Sequence, residues 1–122
     1  MADHLIGLMS GTSMDGVDAA LVRFDDAAAL PELLARRTTP LPEGLQEELL
    51  ALAQPGGNEL DRLMRLDGTV ARLFARAVRE VLDQAGMSPD QIRALGSHGQ
   101  TVRHVPAGPE PYPVQIGNPG LI

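Results

Sequence analysis

His4-Leu5-Ile6-Gly7-Leu8-Met9-Ser10-Gly11-Thr12-Ser13-Met14-Asp15-Gly16-Val17-Asp18-Ala19-Ala20-Leu21-Val22-Arg23-Phe24 is the stretch whose reading decides the fold. His4 to Met9 is a short apolar run, and Val17 to Phe24 is a second with β-branched and aromatic members. Between them Ser10 to Gly16 gathers turn-forming residues, so the stretch reads as strand, tight Gly-rich turn, strand. Small residues in such a turn let the backbone approach an anion, and consecutive N–H groups can form a concave nest of donors. Thr12 and Ser13 add hydroxyls, and Asp15 adds a carboxylate able to hold a metal directly or through water. An ordinary hairpin turn uses the same residue types, so composition alone leaves both readings open.

Beyond the hairpin, Leu33 to Thr39 is expected as a third strand from its position, although Leu33-Leu34-Ala35-Arg36-Arg37 is equally good helix. Pro40-Leu41-Pro42 breaks the pattern, and Glu43 to Ala53 reads as a helix stopped by Pro55-Gly56-Gly57. From Leu60 to Ala85 apolar positions recur every three and four residues, the stripe of an amphipathic helix. Asn58 is placed to cap it and Gly86 to end it, and the arginines at 62, 65, 72, 76 and 79 read as its solvated face. Ser88-Pro89-Asp90-Gln91 resembles a capping box over a single turn. Ile92 to Gly96 reads as a strand, Val114 to Gly117 as a short last one, and Asn118-Pro119 as the opening of another helix. Antiparallel strands, then a helical crossover, then a strand predict a mixed, three-layer α/β sheet. The break inside a new element is expected of the amino-terminal piece of a longer protein.

Composition narrows the function. The 122 residues amount to one domain, with 43% apolar residues, so a real core can form. Ten basic residues, all Arg, face 16 acidic ones, a net charge of −6 that disfavours nucleic acid and anionic membranes. Without Lys there is no Walker-type P-loop, and without Cys no disulfide, thiolate nucleophile or cysteine-rich zinc site. No apolar run approaches a membrane span and no basic signal-peptide head opens the chain, so a cytoplasmic protein is expected. Ser10 or Ser13 with His98 and Asp15 would supply the residue types of a hydrolase triad, but Gly7-Leu8-Met9-Ser10-Gly11 has the wrong spacing for a nucleophile elbow. The dinucleotide fingerprint is missing as well, and His4 and His104 have no partner spacing. A second candidate site is Ser97-His98-Gly99-Gln100-Thr101, expected just past a strand, where α/β sheets gather ligands. A His, an amide and hydroxyls there suit a sugar, while a turn-satisfying His98 is the bland alternative.

Ile6 to Asp18, Gly96 to His104, and Gln115-Ile116-Gly117-Asn118 closely resemble, in order, three motifs of the anhydro-N-acetylmuramic acid kinases. The resemblance implies an actin-like ATPase (ribonuclease H-like) fold in which two similar domains close on ATP. Residues 1–122 would then be the amino-terminal part of the first domain. It also implies an activity: water opens the 1,6-anhydro ring, and the ATP γ-phosphate passes to the freed O6, in the recycling of peptidoglycan. By motif, Gly11, Thr12, Ser13, Met14, Asp15, Gly16, Val17 and Asp18 would form the first phosphate loop. Ser97, His98, Gly99, Gln100 and Thr101 would bind substrate, facing the sugar or the phosphates, and the catalytic base would lie beyond Ile122. The wider superfamily reads D-x-G-x-T/S at the loop, and Met9 stands where the Asp would be. Asp15 and Asp18 are then the carboxylates left to position Mg²⁺. A non-catalytic ATP-binding or interaction module that kept the loop is the rival reading, and an ordinary binding domain a third. A partial sheet with an exposed apolar face would favour self-association, for which a homodimer is the simplest form.

Overall fold

The computed structural model describes residues 2–11, 13–27 and 29–122. Strands β1 (Ala2–Ser10), β2 (Gly16–Asp25) and β3 (Glu32–Pro40) come first, then helices α1 (Leu45–Leu52) and α2 (Glu59–Ala85), then β4 (Ala94–Val105) and β5 (Tyr112–Ile116). They form one five-stranded sheet in the order β3-β2-β1-β4-β5. β1 and β2 pair antiparallel from Ala2↔Asp25 to Ser10↔Val17, whereas β1 and β4 run parallel. The parallel pair needs a crossover, and α1 and α2 supply it. The sheet is therefore mixed, as the order of elements predicts.

Period-two alternation decides what each face of the sheet carries. Ile6, Leu8, Val17, Ala19 and Leu21 are buried and share a cluster with Leu66, Val70, Phe74, Ala77 and Val81 of α2. Leu45, Leu49 and Leu52 of α1 join the same cluster, so both helices lie on one face. The other face carries Gly7, Met9, Asp18, Ala20, Gly96 and His98 around a shallow open depression. This stretch thus supplies the sheet and one helical layer of the expected α/β domain.

The ambiguous segment at Leu33 is a strand. Its two leucines are exposed and only Ala35 and Thr39 are buried, so it gains little from helical packing, and the ladder to β2 takes it instead. Glu80 of α2 anchors this edge strand: it accepts from Arg37 Nε at 3.0 Å, Thr39 Oγ1 at 2.6 Å and Arg76 Nε at 3.0 Å. The Thr39 hydroxyl first, then the Arg37 guanidinium, hold its carboxyl down to about 2.

Several boundaries differ from expectation. Asn58 sits before α2 but in the left-handed region (φ 53°) without a side-chain cap. The acidic Glu59 and Asp61 complement the helix dipole in its place. Gly86 ends α2 at φ 67°, with Met87 N–H bonded to Leu82 O, a Schellman-type stop. Pro89–Gln91 is a single 3₁₀ turn, and Ser88 N–H donates to Gln91 Oε1 at 2.9 Å. The largest difference is β4, which does not end at Gly96 but runs on to Val105, because β5 pairs with its second half from Gln100↔Ile116 to Val105↔Tyr112. After β5, Pro119–Leu121 makes one 3₁₀ turn capped by Asn118 Oδ1.

Candidate functional site

Parallel pairing of β1 and β4 sets the carboxyl end of β1 beside Gln100 at one edge of the sheet, past which β4 runs on with β5. β2 starts at that edge with Gly16, and β5, running back along β4, returns there with Ile116 beside Gln100. The three motifs of the sequence therefore meet in space: the Gly11–Asp18 loop, the Ser97–Thr101 stretch and the Gly117-Asn118 turn. Ligands of α/β sheets collect at such strand ends.

The loop is held by its carbonyls. Gly11 O accepts from Met14 N at 3.1 Å and from Gln100 Nε2 at 3.2 Å. Ser13 O accepts from Gln46 Nε2 at 3.0 Å, and Asp15 O from Leu41 N at 3.3 Å. Exposed carbonyl oxygens repel an anion, and binding these three to protein donors lessens that repulsion. Met14 takes φ 53° and buries its side chain in the core cluster, which pins the turn from below. A Cβ on Gly11 would meet no atom within 4 Å, so open space lies beside the backbone there.

The other loop residues divide by role. Gly16 is a packing glycine, since a Cβ would lie 2.9 Å from Thr38 Cγ2 and 3.0 Å from Thr39 O. Val17 is fully buried in the core. Ser13, Asp15 and Asp18 are exposed; Asp15 accepts from Ser13 Oγ at 2.9 Å, and Asp18 from the Thr38 hydroxyl. Thr12 lies outside the described residues.

The second motif lies inside β4, not after it. Leu8 pairs with Ser97 and Ser10 with Gln100, so β4 spends one residue more than β1 over that interval, a β-bulge. Gly99 absorbs it at φ 74°, and a Cβ there would fall 2.6 Å from Ile116 O, which explains the glycine. The bulge reverses the alternation. His98 remains exposed and borders both the open sheet face and a second depression lined by Asp67, Ser97, Gly117 and Asn118. Gln100, two residues on, turns to the helix side and is 1% exposed. Ser97 is exposed beside His98, Gly99 is buried, and Thr101 is half-buried, its hydroxyl accepting from Gln115 Nε2 at 3.3 Å.

Sequence reasoning missed three supports of the site. Ser10 is buried and donates to Gln100 Oε1, Gln46 reaches back from α1 to the loop, and Asp67 Oδ1 accepts from Gly117 N at 2.8 Å. The glycine at 99 within the second motif was the available signal for the bulge. Gln46 and Asp67 are distant in sequence from what they hold, and nothing local marks them. Among the described residues no group of three or more His, Cys, Asp or Glu is arranged around a metal position, and no helix is long and apolar enough to cross a membrane.

Comparison with known proteins gives this geometry a family. A model of the anhydro-N-acetylmuramic acid kinases matches residues 3–122. The chain is 53% identical over 117 residues to the anhydro-N-acetylmuramic acid kinase of Shewanella amazonensis, covering 96% of this chain and 31% of that protein. It is 52% identical over 118 residues to that of Bordetella pertussis, covering 96% and 30%, and 49% identical over 118 residues to that of Chromobacterium violaceum, covering 97% and 31%. The chain thus spans about a third of the length of these curated relatives. With the loop, the second motif and the Gly117-Asn118 turn gathered at one sheet edge and the family model matched from residue 3 to residue 122, the chain belongs to the anhydro-N-acetylmuramic acid kinase family.

Proposed function

We propose that this chain carries the first phosphate loop of an ATP-dependent, cytoplasmic kinase of peptidoglycan recycling. Its substrate is 1,6-anhydro-N-acetylmuramic acid. Water adds at C1 as the C1–O6 bond breaks, and O6 takes the γ-phosphoryl group while ADP leaves. The product is N-acetylmuramic acid 6-phosphate. The observation that carries the reading is the Gly11–Gly16 loop, in which the carbonyls of Gly11, Ser13 and Asp15 are bound to protein donors and the first glycine faces open space.

Phosphoryl transfer is catalysed largely by positioning and charge neutralisation. Gly11, Ser13 and the backbone around them bind and orient the phosphates, held rigid by Met14 below and Gln46 behind. Ser97 and His98, exposed beside the loop's edge, face the sugar. The residues also fit a magnesium ion. Two exposed carboxylates beside a triphosphate site would repel the nucleotide unless a cation stood between them, and Mg²⁺ takes one or two carboxylates plus phosphate oxygens. Asp18 is the better placed, because it pairs directly across the β1–β2 ladder from Met9, on the same open face, where the superfamily's Asp is missing. Asp15 is the second carboxylate. When bound, the ion neutralises the charge that develops on the phosphate oxygens.

The test uses a polypeptide of the relatives' full length carrying this stretch. Incubated with ATP, Mg²⁺ and the anhydro-sugar, it should yield N-acetylmuramic acid 6-phosphate by mass spectrometry. ATP turnover without sugar phosphate would overturn the reading and favour a module that binds nucleotide for another purpose.

A further inference from the structure

We infer that Gln100 is a positioning residue of the phosphate loop and does not contact the sugar, an inference that rests on the function proposed above for the loop itself. The side chain is 1% exposed, and among the described residues Ser10 and Thr39 are the other buried polar ones. Its amide is used on both sides. Oε1 accepts from Ser10 Oγ, while Nε2 donates to Gly11 O at 3.2 Å and to Thr101 O at 3.0 Å. Both amide hydrogens are therefore spent within the protein, and no donor remains for a ligand.

The bulge at Gly99 makes this possible. In a regular strand residues 98 and 100 share a face, so His98 and Gln100 would both look toward the substrate. The extra residue between Ser97 and Gln100 sends the amide to the other side, against β1. There it ties the last residue of β1, Ser10, and the first loop residue, Gly11, to β4. Gly11 O then has two donors, and the entry of the loop cannot pivot without stranding buried polar groups. The same strand thus holds the loop through Gln100 and presents His98 to the cleft.

The test is Gln100→Glu in the full-length kinase, with Ser10→Ala as a milder second variant. Gln100→Glu keeps the size but turns the Nε2 donor into an acceptor facing Gly11 O and Thr101 O. The KM for ATP should rise about tenfold or more while the KM for the sugar stays within about twofold. Ser10→Ala should show the same split more weakly. Hydrogen exchange on nucleotide-free protein should speed up at Ser13–Asp15 while α2 keeps its protection. A rise in sugar KM at constant ATP KM, or unchanged loop exchange in both variants, would overturn the inference. If Gln100→Glu does not fold, Ser10→Ala decides by the same readouts. Loop exchange needs no catalysis, so a wild-type protein without kinase activity would refute the functional reading while the exchange data still judged the tether.

Discussion

Replacing Gly99 with Ala tests whether the bulge sets the site. The residue has φ 74°, and the new Cβ would stand 2.6 Å from Ile116 O and 3.5 Å from Gln115 Cβ. The near atom is a backbone carbonyl paired into β4–β5, so it cannot rotate aside. Holding Ala in the left-handed region costs about 1–2 kcal/mol. Forcing β5 away adds about 1–3 kcal/mol of overpacking, for a total of about 2–5 kcal/mol. Gly86→Ala is the internal standard: its φ is 67°, but a Cβ there meets nothing within 4 Å, so it costs only the conformational part. Urea denaturation of both variants, followed by circular dichroism, should place Gly99→Ala below Gly86→Ala by at least ~1 kcal/mol. ATP affinity should fall in Gly99→Ala alone, because a relaxed bulge turns Gln100 away from Gly11. Equal destabilisation of the two, with ATP affinity intact in both, would refute the reasoning.

Gly11→Val should fold with wild-type stability, since no atom lies within 4 Å of its Cβ, yet lose ATP binding by calorimetry as the branched side chain fills the space the phosphate needs. His98→Ala should raise the KM for the anhydro-sugar or lower kcat while ATP affinity holds; weakened ATP binding would move His98 to the phosphate side. Glu80's carboxyl is depressed to about 2 from an ordinary 4.5, so its stabilisation is complete above 4.5 and is lost as the pH falls from there to about 2. Glu80→Gln should flatten that acid limb and cost about 1 kcal/mol at neutral pH in urea titrations, the guanidiniums being half-exposed and screened. Residues 1–122 alone should show no anhydro-sugar phosphorylation by mass spectrometry, because a stretch about a third of the relatives' length leaves the reacting groups unpositioned.

What was legible in the sequence follows how local each cause is. The β1–β2 hairpin and α2 carry their own periodicity, and both form where expected. Leu33-Leu34-Ala35-Arg36-Arg37 carries no decisive period, and only the ladder to β2 makes it a strand. The Ser97–Thr101 stretch reads locally as turn formers. It is extended because β1 on one side and β5 on the other satisfy its backbone, and neither partner is near in sequence. The left-handed conformation at Met14 was not visible either, since Met rarely adopts it and burial in the core holds it there, whereas Asn58 is of a type that enters that region readily. At the site, residue types were legible and directions were not: Met14 and Val17 are buried in the core, Gly16 is packed against Thr38 and Thr39, and Gln100 turns inward to bond Gly11 O.

That division of labour has a physical reason. A loop that must bind a highly charged phosphate chain without reorganising needs its dipoles fixed beforehand, and surface hydrogen bonds exposed to water do this poorly. Buried bonds do it well, but only if every partner is satisfied. Here the buried amide of Gln100 is satisfied by Ser10, Gly11 and Thr101, so the anchor sits on the dry side of the sheet. His98, the residue proposed to meet substrate, stays on the wet side. One extra residue in β4 lets a single five-residue motif serve both sides, and a glycine at position 99 is the form that residue must take, because the carbonyl of Ile116 leaves no room for a side chain.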